Sequence, residues 1–504
     1  MKKVINFLSS RLFVSCVFLL IQLVFLIYLL YNLSSCSVYI GFAMNIMSII
    51  VCLVIINRDD NPMFKLAWII PILVFPVFGW MMFLTFERGK IFTAKNSKLS
   101  FMQPQSTVRQ DKKIIAELEQ EAPDILNELR YIQNTSSAVI FKNTQTRFYP
   151  DGETMFSDFI DVLSKAEKYI YLEYFIIADG YMWKTILSLL EEKVKNNVRV
   201  YIIYDDVGSN TFTGQFSKQL KKAGINTAAF NPVRPSLSTA ISYRDHRKIA
   251  VIDGIYSFTG GINLSDEYIN CKERFGYWKD SGIMLSGEAV SVMAAMFEKL
   301  WNYCSDDSII NISSGKSPVL QTDGYVVPFS DKPSQKERTG EMAYMKIINN
   351  AKKYIYITTP YLILDQEMIT AIRLAAGSGV TVKIITPHIP DKKYVQAVTR
   401  SNYRALLRSG VRIYEFTPGF IHSKTIVSDD TTAVVGTANF DFRSFYLLYE
   451  NSVFMYKTKA VSQMKSDFEK TLAVCTEITE ETCRTFPLWL RAAGAVLRLF
   501  SPLM

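Results

Sequence analysis

The sequence predicts an α/β protein in which two copies of one α/β half share a single cleft, preceded by N-terminal transmembrane helices. Three observations predict this. Long uncharged apolar runs crowd the first 88 residues. Beyond them, short apolar β-runs alternate with helical stretches such as 182–196 and 366–377, the pattern of buried strands joined by helices. That alternation then occurs twice, at a period of about 175 residues, far longer than a solenoid repeat.

The apolar runs are 12–33, 39–56 and 64–86, the last interrupted by Lys65, Pro71, Pro76 and Gly79. Each approaches the roughly 20 residues that cross a bilayer. The first is longer than the apolar core of a cleaved signal peptide. Lys2, Lys3 and Arg11 precede the runs and Arg88, Lys90, Lys95 and Lys98 follow them. The positive-inside rule wants both flanks in the cytoplasm, which two full spans satisfy and three do not. The expectation is a multi-pass protein of the cell membrane with its catalytic part facing the cytoplasm. Net charge is +9, which favours an anionic partner, lipid or nucleic acid. The seven cysteines include no C-x-x-C pair, so a disulfide framework or zinc site is not expected.

Residues 89–140 read as a linker with one helix, because Ile114, Ile115, Leu118, Ile125, Leu126 and Leu129 recur at helical spacing in a charged stretch. The first half is placed at 141–310 and the second at 311–485, followed by an amphipathic helix at 486–504. The echoes between halves are specific. Ala166-Glu167-Lys168-Tyr169-Ile170-Tyr171 matches Ala351-Lys352-Lys353-Tyr354-Ile355-Tyr356, and Val198–Ile203 matches Val380–Ile385.

Each half then ends on one constellation. His246-Arg247-Lys248 leads to Asp253 and Gly260-Gly261-Ile262-Asn263; His422-Ser423-Lys424 leads to Asp429 and Gly436-Thr437-Ala438-Asn439, with identical spacing. The chain has 3 histidines, and this pattern holds two of them. In a strand, residues i and i+2 face the same way, so each His and Lys address one ligand. Asp253-Gly254 signals a hairpin turn that returns the chain, bringing Asn263 near His246 and Lys248. Two His, two Lys and two Asn in one cleft suit a phosphodiester. The lysines and amides of Asn263 and Asn439 hold the non-bridging oxygens without metal or cofactor. One neutral His attacks phosphorus while the other, protonated, delivers a proton to the leaving alcohol.

Other residues have simpler readings beside the functional one. Asp253 and Asp429 stand among the candidate catalytic residues, but turn building accounts for them more simply. Asp280 and Glu450, following the two motifs, are either surface acids or carboxylates that orient the histidines. His388 has no counterpart in the other half and reads as an ordinary hydrogen-bonded histidine.

The two motifs resemble the HKD motifs of the phospholipase D superfamily. That resemblance implies two α/β halves around a shared cleft and a covalent phosphohistidine, with His246 as nucleophile and His422 as acid and base. A second resemblance covers almost the whole chain. Asn61-Pro62, Ala67-Trp68 and Gly79-Trp80, Arg244–Ile249, Phe258–Asn263, Thr359-Pro360-Tyr361, Asn439–Phe445 and the ending Arg498–Met504 are similar to bacterial cardiolipin synthases. It implies that two phosphatidylglycerols give cardiolipin and glycerol, with the membrane bilayer as partner. The run at 12–33 departs from the two-span arrangement expected of that family. A hydrolase would use the same residues with water as acceptor. A membrane-tethered nuclease needs basic residues interleaved with aromatics, whereas Lys218, Lys221 and Lys222 read as a solvated helix face, so no nucleic acid is expected.

Overall fold

A computed structural model describes residues 17, 20–24, 35–85, 109–136, 138–209, 214–232, 243–305, 307, 309, 322, 324–333 and 337–503. The chain divides into two compact units. One comprises residues 1–100, 233–243 and 496–504; the other comprises 101–232 and 244–495.

In the first unit, helices Ser35–Ile56 and Pro62–Val74 follow two of the apolar runs. Asn61 starts the second of these by accepting the Met63 N–H, with Pro62 at the first helical position, where a missing N–H costs nothing. Val51, Ile55, Ile72 and Phe83 form a small core. The turn Arg498–Leu503 packs on Pro62–Val74. The run 12–33 lies outside the described residues, apart from 17 and 20–24. Among the described residues no helix is long and apolar enough to cross a membrane.

The second unit contains the duplication. The first half supplies β1 (Thr144–Tyr149), β2 (Tyr169–Tyr174), β3 (Arg199–Asp205), β4 (Asn226–Phe230), β5 (Arg244–Asp245), β6 (Lys248–Ile252), β7 (Tyr256–Gly260), β8 (Tyr277–Lys279) and β9 (Gly282–Gly287). The second supplies β10 (Tyr325–Asp331), β11 (Tyr354–Thr358), β12 (Leu362–Ile363), β13 (Thr381–Pro387), β14 (Arg412–Phe416), β15 (Gly419–Ile421), β16 (Thr425–Ser428), β17 (Thr432–Gly436), β18 (Phe440–Asp441), β19 (Leu448–Tyr456) and β20 (Cys475–Ile478). One sheet runs β1-β9-β7-β6-β2-β3-β4 and the other β10-β19-β17-β16-β11-β13-β14-β20. Strand for strand the orders are the same, with β20 added at one edge. In each sheet three neighbours are parallel, β2-β3-β4 and β11-β13-β14, and the rest antiparallel.

Helices Tyr181–Lys195 and Gln366–Gly377 stand where the helical periodicity predicts them. Asp365 caps the latter, accepting the Met368 N–H at 2.9 Å, and Asp266 caps the former through Tyr181 N and Met182 N. The expected linker helix is two helices, Lys112–Glu121 and Pro123–Ser136. Pro123 divides them, starting the second helix where its missing N–H costs nothing. Their Leu118, Leu126, Leu129 and Ile132 are buried in the second half's core with Tyr344 and Ile347.

Two short parallel pairings stitch the halves together. β5 of the first half pairs with the start of β19, and β15 of the second half pairs with β8. Each of these crossing strands leads directly into a motif histidine.

Candidate active site

The crossing pairings fix both histidines in the same way. The His246 N–H donates to Tyr449 O at 2.9 Å, and the His422 N–H donates to Lys279 O at 2.7 Å. The next residue on each partner strand is an acid. Glu450 places both carboxylate oxygens 3.0 Å from His246 Nδ1, and Asp280 places Oδ2 2.6 Å from His422 Nδ1. Each half therefore supplies the carboxylate for the other half's histidine. With Nδ1–H donating to a carboxylate, the tautomer is set and Nε2 is left for chemistry.

Both motif lysines are buried and donate Nζ to a motif carbonyl, Lys248 to His246 O at 2.7 Å and Lys424 to His422 O. The site is closely walled. Phe175 lies 5.2 Å from the His246 ring, and Trp278, Tyr268 and Phe420 lie 5.4, 5.6 and 5.8 Å from that of His422. Burial in this wall governs the electrostatics. It pushes His246 down to about 4 against the pull of Glu450. His422 is pushed well below the ordinary range by burial and then by Lys424, Lys248 and His246. Both imidazoles are thus neutral near pH 7. Burial also lowers Lys248 to about 8 and Lys424 to about 7. It raises Asp280 to about 6, against the attraction of Lys424. Glu450 also meets a burial penalty, but the charge His246 takes up on acidification, its hydrogen bond and the nearby Lys248 hold it below its usual value. These mutual effects of His246, Lys248, His422 and Lys424 are those of one centre shared by both halves.

The asparagines sit at matched places with different bonding. Asn263 is buried, accepts the Ile176 N–H at 3.0 Å and donates to the Tyr268 hydroxyl at 2.7 Å. Asn439 donates to Asp441 at 3.1 Å, while its buried Oδ1 has no hydrogen-bond partner among the described residues.

Asp253 and Asp429 are not brought to the histidines. Each follows directly on the strand next to its motif lysine, β6 or β16, about 16 Å beyond that lysine at ~3.3 Å per residue. Asp253 accepts the N–H groups of Glu167, Lys168 and Tyr169 at 2.7–2.8 Å; Asp429 accepts those of Lys352, Lys353 and Tyr354 at 2.6–2.9 Å. Asp253 and Gly254 both have positive φ, 55° and 69°, as a tight hairpin turn requires. Their grouping with the catalytic residues gives way to a structural one: they pin the turn to the start of β2 or β11. His388 donates Nδ1–H to Glu415 Oε2 at 2.8 Å, and its ring is otherwise exposed.

The sequence reading missed the aromatic wall and the polar groups behind the first motif. Arg247, between the motif His and Lys, pairs instead with Glu173 at 2.7 Å and Asp245 at 3.1 Å. A signal was present: Glu173 is a lone charge inside the apolar run Tyr169–Tyr174, and a buried acid needs a partner. Thr437 was also missed. Its hydroxyl donates to Glu450 Oε2 at 2.5 Å. In the matching place, a Cβ on Gly261 would fall 2.0 Å from Asp280 Oδ1, so only glycine leaves room for that carboxylate.

Duplicated α/β halves exchanging strands around a paired His–Lys centre define a protein of the phospholipase D-like class. The family model "Cardiolipin synthase, PLD-like domain" matches residues 159–301 and 344–472, and "Phospholipase_D-nuclease N-terminal" matches 43–88. The chain belongs to the cardiolipin synthase family. It is 34% identical over 484 residues to a cardiolipin synthase of Geobacillus kaustophilus, covering 94% of this chain and 93% of that one. A Streptococcus mutans protein described as uncharacterized is 40% identical over 456 residues, covering 90% of this chain and 99% of that protein. Among solved structures, the phosphatidylserine synthase of Haemophilus influenzae shares the fold, with TM-score 0.57 and 15% identity over 75% of this chain and all of that one.

Proposed function

We propose that this protein is a cardiolipin synthase that transfers a phosphatidyl group from one phosphatidylglycerol to another. The observation that carries the reading is the pair of carboxylate-held, neutral histidines with two lysines in one buried centre, in a chain of this family. His246 Nε2 attacks the phosphorus of the first lipid, forming a P–N bond as the P–O bond to glycerol breaks. His422 delivers the proton that the glycerol oxygen takes away. The glycerol hydroxyl of a second phosphatidylglycerol then gives its proton to His422 and attacks phosphorus. The P–N bond breaks and cardiolipin leaves, with phosphodiester bonds conserved in number. His422 becomes protonated when the anionic phosphodiester joins Asp280 beside it, since two negative charges oppose the burial penalty. Lys248 and Lys424 hold the non-bridging oxygens, and the unpartnered Oδ1 of Asn439 suits a substrate hydroxyl. Glu450 and Asp280 orient the rings.

The N-terminal region is proposed to anchor the chain in the cell membrane. Outward-facing Phe42, Leu53, Val54, Leu73 and Val74 support this, as does the N-terminal family match at 43–88. Alkaline carbonate washing of membranes is expected to leave the full chain in the pellet. The transfer itself is tested by giving the protein phosphatidylglycerol vesicles and resolving the products by mass spectrometry. Cardiolipin with free glycerol is expected; phosphatidic acid alone would make the protein a hydrolase.

A further inference from the structure

Away from the reaction centre, one apolar surface has no role in the fold. The helix Leu488–Leu497 buries Leu490 and Gly494. A Cβ at Gly494 would stand 2.6 Å from Ala397 O, so that face is seated against the helix Lys393–Leu407. The preceding Phe486 lies 4.6 Å beneath the Arg400 guanidinium. Leu488 and Trp489 point outward instead, 77% and 66% exposed. Arg484, Arg491 and Ala492 are exposed beside them. One turn before Ala397, Tyr394 is 51% exposed, Ile389 37%, and Lys392 and Lys393 are exposed between them. Large apolar and aromatic side chains among cations are the composition of a surface that sits at lipid headgroups.

The position of this surface matters as much as its composition. Asp391, Lys392 and Gln396 wall a small cavity whose other side is Tyr361 and Phe420. Tyr361 donates its hydroxyl to Asp391 at 2.6 Å, and Phe420 packs on His422. The exposed loop is therefore only a few side-chain contacts from the His422 ring.

We propose that Leu488, Trp489, Ile389 and Tyr394, with the cations around them, form the face on which the catalytic unit rests on an anionic bilayer, next to the small cavity lined by Tyr361 and Phe420. The proposal rests on the phosphatidyl-transfer reading for its purpose: a headgroup embedded in a bilayer must reach a buried histidine, and a docked face shortens that path. The occupant is the lipid surface rather than a second copy or a soluble protein. The substrate lies in that surface, and the net charge of +9 attracts it.

The test uses the full chain in phosphatidylglycerol vesicles. Brominated acyl chains should quench the Trp489 contribution to the emission, obtained as the difference between wild type and Trp489→Phe. The variant Leu488→Gln/Trp489→Gln, and separately Ile389→Gln/Tyr394→Gln, should raise KM for phosphatidylglycerol in mixed micelles by about tenfold, as removal of buried apolar anchors does. Turnover of monomeric dihexanoyl phosphatidylglycerol should stay at the wild-type rate, which also reports that the variants are folded. An unquenched Trp489 with normal micelle kinetics in both variants overturns the proposal. So does an equal loss on the monomeric substrate, or a fall in sedimenting mass that marks the face as a contact between copies. Quenching in a protein that makes no cardiolipin would uphold the docking face and remove the transfer reading; transfer without quenching would do the reverse.

Discussion

The two halves agree on the cleft side of their motifs and disagree behind them. His246 and His422, Lys248 and Lys424, and Glu450 and Asp280 have matched places and partners. Behind the first motif lies a buried ionic cluster. Arg247 meets Glu173 and Asp245, while Arg244 meets Asp205 at 2.9 Å and donates to the carbonyls of Phe230 and Asn231. In the second half the matching positions hold the neutral residues Ser423, Thr358, Ile421, Phe420 and Pro387, so the ionic cluster has no counterpart there, and Ile421 and Phe420 pack in apolar cores. On the proposed reading, one histidine must attack phosphorus while the other passes a proton to the leaving oxygen, and that requirement fixes the face that meets the phosphodiester. The rear face needs only to be satisfied, by paired ions or by apolar contact, and two solutions coexist in one chain.

The comparison breaks most visibly at the histidines. His246→Ala and His422→Ala are each expected to lower turnover by about 10⁴-fold or more, and the double variant little further, since the pair acts as a unit. The halves differ in what accumulates. In His422→Asn a lipid adduct should build up on His246, because the second alcohol lacks its base; His246→Asn should show none. An adduct mapped to His422 by peptide mass spectrometry would exchange the two roles.

The carboxylates come next. Glu450→Gln and Asp280→Asn are expected to cost about 10–100-fold in kcat, as loss of a partner that orients a functional histidine does. They should differ in pH dependence. Asp280 is ionised above about 6 and loses that charge as pH falls through it, so it gives kcat/KM of the free enzyme an acid limb near 6. Lys424 and Lys248 are charged below about 7 and about 8, and lose the charge as pH rises, which gives the basic limb. Asp280→Asn should erase the acid limb. It should also move the basic limb lower, because Asp280 supports the charge on Lys424. An unchanged profile would mean that neither limb belongs to these groups.

Much of this was legible in the sequence, for physical reasons. The repeated order from Tyr169 and Tyr354 onward gave the duplicated sheet; the His-x-Lys spacing marked the centre, although the His-x-Lys segments span the junctions of β5 with β6 and of β15 with β16 rather than lying within a strand. Asp253-Gly254 announced a turn, and the turn is there. The exchange of partners was not legible. Asp280 and Glu450 read as acids following their own motifs, but each serves the other half's histidine, through pairings of two and three residues that leave no periodicity. The aromatic wall was hidden for a similar reason: Phe175, Tyr268 and Trp278 look like any core residue until the fold sets them against an imidazole. The extra helices at Lys112–Glu121 and Pro123–Ser136 carried a helical signal, but nothing in it told a linker from a part of the second core.

The ionic cluster offers a smaller effect and a direct test of the rear-face argument. Arg247→Met leaves Glu173 and Asp245 buried without their cation and should cost about 3–5 kcal/mol of stability. Adding Glu173→Leu, toward the Thr358 arrangement of the other half, should recover part of that loss. Burial already drives Glu173 well above its ordinary range, with Arg247 opposing, so its removal also removes a penalty. Both stabilities are read from denaturant midpoints. If the double variant is no more stable than the single one, the cluster does more than satisfy its own charges.

The smallest expected effect falls where the halves agree but do no chemistry. Asp253→Ala and Asp429→Ala each take an acceptor from three backbone N–H groups. Each also places alanine at a φ near 55° that favours Asp, Asn or Gly. A loss of about 1–3 kcal/mol is expected from the unsatisfied N–H groups. Asp253 is buried, whereas Asp429 is half-buried and opens to water, so Asp253→Ala should lie at the upper end and Asp429→Ala at the lower. Asn at either position keeps the turn and one acceptor oxygen and should recover most of the loss. The rate per folded molecule should be unchanged in all four variants. A drop in kcat at full folding would return these aspartates to the catalytic set from which their position at the far end of the strand removes them.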